Sequence, residues 1–209
     1  MDKFEKYEQM LIETNKKFNL TSIDDPDQIR IKHFEDSLTI KSYINDGMKV
    51  LDIGSGAGFP GIPLRIEKDF DLTLIDSVNK KVNFMNQVIE ELDLKNTRAI
   101  HVRAEDFAKE HREEFDMVIS RAVANLSTLS EYALPFLKVG GIFIAMKGPK
   151  AEEEYEDAKN ALKILGGELI NIDSMDLHGN TRKNILIKKV RSTKKKYPRD
   201  KNLPKKKPL

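Results

Sequence analysis

The 209-residue sequence contains no cysteine. Disulfides, thiolate nucleophiles and cysteine-based zinc sites are therefore excluded, and the cytoplasm is the expected compartment. Histidine is sparse: His33, His101, His111 and His178 are too scattered for a metal site to be read from their spacing, so no metal is expected. No apolar stretch approaches the roughly 20 residues of a membrane span. The start, Met1-Asp2-Lys3-Phe4-Glu5-Lys6, also lacks the apolar segment of a secretion signal, so no membrane association is expected. The length suits one domain with a sizeable core and a small appendage.

Acidic charge is almost missing from one end. From Lys188 to Leu209 there are eleven Lys or Arg and only Asp200 against them, so a net charge of +2 divides into +10 on this stretch and −8 on the rest. Proline interleaves with the lysines (Tyr197-Pro198-Arg199, Pro204-Lys205-Lys206-Lys207-Pro208), and proline continues neither helix nor ladder. The stretch is either a solubilising tail or a contact for a polyanion. RNA is the preferred partner, because each cation placed on a phosphate releases counterions that an acidic body would not otherwise attract. The candidate RNA contacts are Lys194, Lys195, Lys196, Arg199, Lys205, Lys206 and Lys207, with Tyr197 able to stack on a base.

The densest motif is Val50-Leu51-Asp52-Ile53-Gly54-Ser55-Gly56-Ala57-Gly58-Phe59-Pro60-Gly61, a buried-strand pattern that breaks into four glycines. Glycine serves where backbone takes positive φ or lets a ligand approach without a Cβ, so this is a strand-to-helix turn around a small molecule. Gly56, Gly58 and Gly61 satisfy the dinucleotide pattern G-x-G-x-x-G; Asp52, Gly54, Gly56 and Gly58 satisfy D-x-G-x-G-x-G, the pattern of S-adenosylmethionine (SAM) sites. The carboxylate of Asp52 would repel a pyrophosphate but suits a cationic amino acid, which favours SAM. Asp76 ends the next apolar run, 22 residues after Gly54, where an acid accepts hydrogen bonds from ribose hydroxyls or caps the following helix.

Apolar runs at 49–53, 72–76, 97–102, 115–120, 141–146, 168–172 and 184–190 alternate with helix-period segments. The expectation is an α/β fold: a seven-stranded, mostly parallel, Rossmann-like sheet of the class I methyltransferase type, with the last two strands forming an antiparallel hairpin at one edge. Residues 1–45 stand outside the repeat as a helical cap, 46–190 form the SAM-binding domain, and 191–209 form a basic C-terminal tail. His33, in the cap, reads as a core or capping residue or as an RNA contact.

Asn19-Leu20-Thr21, His33-Phe34 with Asp36-Ser37-Leu38, Asp52 to Pro63, Asp76-Ser77 with Lys80-Lys81, Arg103-Ala104-Glu105-Asp106, Ser120-Arg121-Ala122-Val123-Ala124, Leu134-Pro135, Met146-Lys147-Gly148 and Lys195-Lys196-Tyr197-Pro198-Arg199 occur in this order. Together they resemble the glucose-inhibited division protein B family, bacterial methyltransferases of guanine N7 in small-subunit (16S) ribosomal RNA. Val78 departs from the leucine common after the family's Asp-Ser. The resemblance implies that Gly54 and Phe59 line the SAM site, with Asp76 and Ser77 at the ribose, Ala104 and Glu105 at the adenine, and Arg121 near both cofactor and base. It also implies a monomer acting on 16S ribosomal RNA or the small ribosomal subunit.

The residue inventory agrees with that chemistry. Guanine N7 has a lone pair and no proton, so its methylation needs no general base. Methylation of pyrimidine C5 would need a cysteine nucleophile, and Ser120-Arg121-Ala122-Val123 stands where amine methyltransferases carry an Asn- or Asp-Pro-Pro-aromatic string. Arg121 and Lys147 are the expected catalytic pair, holding the guanine carbonyl or flanking phosphates. Two rivals are a methyltransferase for a small molecule or protein and a non-catalytic SAM- or RNA-binding module.

Overall fold

A computed structural model of the chain describes residues 2–121 and 123–209. Strands β1 (Lys49–Ile53), β2 (Asp71–Asp76), β3 (Thr97–His101), β4 (Phe115–Arg121), β5 (Leu137–Lys147), β6 (Gly167–Leu177) and β7 (Asn180–Lys189) form one sheet in the order β3-β2-β1-β4-β5-β7-β6. Neighbours among β1 to β5 pair in parallel, and β7 runs antiparallel to both β5 and β6. The expected hairpin is present, with the last strand inserted inside it and β6 at the edge.

Both faces of the sheet are covered, which is why its central strands read as unbroken apolar runs. Val50, Leu72, Leu74, Met117, Ile119 and Ile144 face one core with α4 (Gly61–Glu67), α5 (Asn79–Glu91) and the N-terminal cap. Alternate residues Leu51, Ile53, Ile75, Val118 and Phe143 face the other core with α6 (Ala104–Phe107), α7 (Leu126–Ala133) and α8 (Ala151–Leu165). Helix α8 carries Glu152, Glu153 and Glu154 in its first turn and stops at Gly166 in the left-handed region, as its dipole and C-terminus favour.

The cap starts with α1 (Lys3–Asn15), whose Tyr7 hydroxyl donates to the Ala57 carbonyl at 2.5 Å. Asp25 caps α2 (Pro26–Ile29) by accepting from the Gln28 amide at 2.9 Å. The helix widens to a π-helical segment over Arg30–Glu35 and continues as α3 (Asp36–Leu38). The outer half of the β6–β7 hairpin, longer than its apolar run predicts, meets this cap through Tyr43 to Asp173 and His178 to Glu35. Its residues are mostly exposed or half-buried, so they carry no apolar signature.

Residues 191–209 are docked on the body. Thr193, Tyr197 and Pro204 are buried, and a short helix α9 (Leu203–Lys206) follows. The anchor is Arg199, whose backbone amide and Nε donate to Glu131 Oε1 at 2.8 and 2.9 Å while Nη2 reaches Oε2 at 2.7 Å. Glu131 is fully buried on α7, where a carboxylate is stable only with a cation beside it.

Candidate active site

The glycine turn joins β1 to α4 at the carboxyl edge of the sheet, where ligands bind in open α/β folds. Gly54 has φ +68°, and a Cβ there would stand 2.5 Å from Val123 Cγ2 in the loop after β4. Asp52 is fully buried beneath the turn, and its Oδ2 accepts from the Gly61 amide at 2.9 Å. The approach is so close that a Cβ at Gly61 would lie 2.8 Å from that oxygen. Burial pushes the Asp52 carboxyl up to about 7, against the opposing hydrogen bond from Gly61. Among the described residues its Oδ1 has no hydrogen-bond partner.

Asp76, at the tip of β2, ties two turns together. Its Oδ2 accepts from the Gly56 amide at 3.0 Å and its Oδ1 from the Val78 amide at 2.8 Å. Each carboxylate oxygen keeps a further lone pair for a ligand. A cavity of about 360 Å³ opens beside it, lined by Gly54, Asp76, Ser77, Ala104, Glu105 and Val123 among others. Five of the residues predicted for the cofactor thus share one cavity. Asp52, Gly56, Gly58, Phe59 and Arg121 do not line it. Phe59 is buried between Tyr7, at 5.3 Å, and His33, at 4.5 Å between ring centres.

A second cavity, of about 790 Å³, adjoins the first and shares Val123 and Ala124 with it. Arg121 is its centre: Nη1 donates to Asp36 Oδ2 at 2.8 Å and to the Lys32 carbonyl at 2.9 Å, and Nη2 lies 3.1 Å from His33 Nδ1. A guanidinium only donates, so Nδ1 of His33 accepts and Nε2 carries the proton toward Thr21 Oγ1 at 2.9 Å. Burial and the neighbouring Arg121 hold His33 down to about 4, a neutral imidazole at physiological pH. Asp36 also accepts from Arg182 Nε at 2.8 Å. Lys147 lies on the opposite wall, its Nζ 2.7 Å from Glu154 Oε2 and 2.5 Å from the Ala124 carbonyl.

The predicted RNA residues separate. His33 belongs to this second cavity, whereas Tyr197 is in the core and Arg199 is committed to Glu131. Both side chains are engaged within the protein, Tyr197 among apolar residues and Arg199 on a buried carboxylate. Lys194, Lys195, Lys196, Lys205, Lys206 and Lys207 are exposed. Sequence reasoning missed Asp36 as a partner of Arg121, Arg182 as the second cation on it, and Val123 as the shared wall.

The site residues fit SAM: a carboxylate stands at the tip of β2, the Gly54 backbone is bare at the cavity wall, and Glu105 stands with Ala104 in the same wall. Solved structures share the architecture. TYW2 of M. jannaschii, in complex with AdoMet, matches with a TM-score of 0.63 at 19% identity, covering 76% of each chain. A SAM-dependent methyltransferase from Aquifex aeolicus matches with a TM-score of 0.62 at 20% identity, covering 86% of this chain and 98% of that one. The fold is that of the class I SAM-dependent methyltransferases.

More similar relatives narrow the class. A ribosomal RNA small subunit methyltransferase G from Desulforamulus reducens is 51% identical, covering 99% of this chain and 89% of the relative. One from Clostridium tetani is 46% identical, with coverage of 99% and 89%. The GidB family model, described as rRNA small subunit methyltransferase G, matches residues 1–185, and the chain belongs to that family.

Proposed function

We propose that this protein transfers a methyl group from SAM to N7 of a guanine in small-subunit ribosomal RNA, with the cofactor in the smaller cavity and the base in the larger. When bound, SAM supplies an electrophilic sulfonium methyl. Asp76, Ser77, Ala104 and Glu105 hold its nucleoside, and Gly54 gives it backbone, while the Gly56 amide holds Asp76 in place. The paired cavities meeting at Val123 and Ala124 carry this reading, because a methyl group crosses a distance of one bond.

The acceptor cavity contains cations and no available base. His33 is neutral with both nitrogens engaged, Asp36 is held by two arginines, and Glu154 faces Lys147 and the Leu126 amide. Such a site cannot deprotonate an amine or hydroxyl, but N7 arrives with its lone pair free. Arg121 keeps Nε–H and one Nη2–H beyond its three bonds, and these suit the guanine carbonyl adjacent to N7. Lys147 and the exposed tail lysines add positive charge for the RNA backbone. The cap closes over the base, and the substrate is 16S ribosomal RNA alone or in the small subunit, bound by a monomer in the cytoplasm. Among the described residues no helix is long and apolar enough to cross a membrane.

The test is transfer of labelled methyl from SAM to 16S RNA of a strain lacking the gene, followed by nucleoside mass spectrometry. 7-Methylguanosine is expected. Label in another nucleoside, or in protein alone, would refute the assignment.

A further inference from the structure

The C-terminal segment does more than dock. Asn202 and Lys205 reach into the wall of the smaller cavity, on the side of Ala104 and Glu105. They lie beyond residue 185, where the match to the family model ends. Arg103 donates through Nε to Glu105 Oε1 at 3.0 Å and through Nη2 to Asn202 Oδ1, so one guanidinium links a predicted cofactor residue to the tail. Because Oδ1 accepts from Arg103, the Asn202 amide is oriented and its Nδ2–H₂ is left to donate. Thr128 Oγ1 donates to the Pro204 carbonyl at 3.0 Å, which fixes the segment between Asn202 and Lys205 against α7.

We propose that Asn202 and Lys205 are cofactor-binding residues, and that the basic tail forms the outer wall of the SAM site as well as an RNA contact. The chemistry is complementary: a purine ring offers unprotonated nitrogens as acceptors, and the tail brings an amide and an ammonium that only donate from those atoms. The proposal rests on the cofactor reading above. It adds a physical link between RNA and cofactor, since Lys205 lines the cavity while Lys206 on the same short helix, and Lys207 just after it, are exposed.

Calorimetric titration of SAM into the full-length protein tests it, with Asn202→Ala, Lys205→Ala, Asp76→Ala and a distant control, Lys188→Ala. Loss of one such hydrogen bond should weaken binding by about three- to tenfold in each tail variant, with no change in the control. In the wild type, SAM should slow tryptic cleavage after Lys205, a readout that does not depend on any variant folding. Wild-type affinity in both tail variants, or cleavage after Lys205 unaffected by bound SAM, would overturn the proposal alone. Failure of the wild type to bind SAM would overturn the cofactor reading and this proposal with it.

Discussion

Gly54 sits where backbone conformation and side-chain crowding act together, and the two can be separated. Gly54→Ala places a side chain at φ +68°, a left-handed conformation that costs an alanine about 1 to 2 kcal/mol. The new Cβ would also stand 2.5 Å from Val123 Cγ2, but the next atom back, Val123 Cβ, is 3.6 Å away, an ordinary contact. Val123→Ala therefore removes the collision and leaves the dihedral cost. Val123 is 38% exposed, so in the single variant it swings aside at little cost to folding, but it swings within the wall that both cavities share. Gly54→Ala should lose about 1 to 2 kcal/mol in urea unfolding and about tenfold in SAM affinity by calorimetry. Adding Val123→Ala should restore most of the affinity and none of the stability, a coupling of about 1 kcal/mol seen in binding alone. If affinity stays low in the double variant, Val123 is not the obstacle. If Gly54→Ala is as stable as the wild type, the left-handed turn is not the native conformation.

Glu131→Gln should destabilise the protein by about 3 kcal/mol, because Arg199 loses its countercharge at a buried site, and urea unfolding with faster tryptic release of the tail would show it. Two buried groups give opposite pH dependences. His33 falls from 6.5 unfolded to about 4 folded, so its contribution is complete above pH 6.5 and is lost as pH falls toward 4. Asp52 rises from 3.8 to about 7, so its contribution is complete below pH 3.8 and is lost as pH rises through 7. The His33 shift amounts to about 3 kcal/mol and the Asp52 shift to about 4 kcal/mol, and they oppose one another. Between pH 4.5 and 6.5, stability should therefore fall with rising pH in His33→Gln relative to wild type and rise in Asp52→Asn; parallel profiles would contradict the burial of either group. Arg121→Lys cannot keep three directed bonds, so kcat/KM for RNA should drop by about 30- to 100-fold while SAM affinity holds, since Arg121 lies outside the smaller cavity. Replacing Lys194, Lys195 and Lys196 by alanine should lower the slope of log affinity for RNA against log salt by about 2, measured by filter binding, and an unchanged slope would remove them from the interface.

The sheet was legible because strands covered on both faces show as apolar runs, and the wall of the smaller cavity because glycines and acids at strand tips are local signals. Ties across the chain were not. Asp36 looks like any helical acid, and nothing in its neighbourhood announces that Arg121 and Arg182, 85 and 146 residues away, will both seek it. The tail misled through its charge: eight Lys and Arg from residue 194 to residue 207 suggest solvation and hide the buried Thr193, Tyr197 and Pro204. A clue existed in α7. Leu126–Ala133 is buried at every position, so Glu131 within it demanded a cation from elsewhere, and the basic end of the chain was the richest source.

The network around Arg121 makes the larger cavity depend on the cap. Arg121 extends from the end of β4, yet its bonds go to Lys32 and His33 in the π-helical segment and to Asp36 at the start of α3. Arg182 repeats the connection from β7, so one buried carboxylate joins the sheet and the hairpin to the cap. Because Asp36 is only 4% exposed, losing either arginine leaves its charge under-compensated, and the cap responds along with the cavity. The cap also shares the core beneath: Tyr7, Leu11, Ile29 and Phe34 pack in the same apolar cluster as Val50, Leu72 and Leu74. Docking of the cap therefore shapes the larger cavity and covers part of the core together, and loss of the Asp36 network should lower stability as well as disturb that cavity.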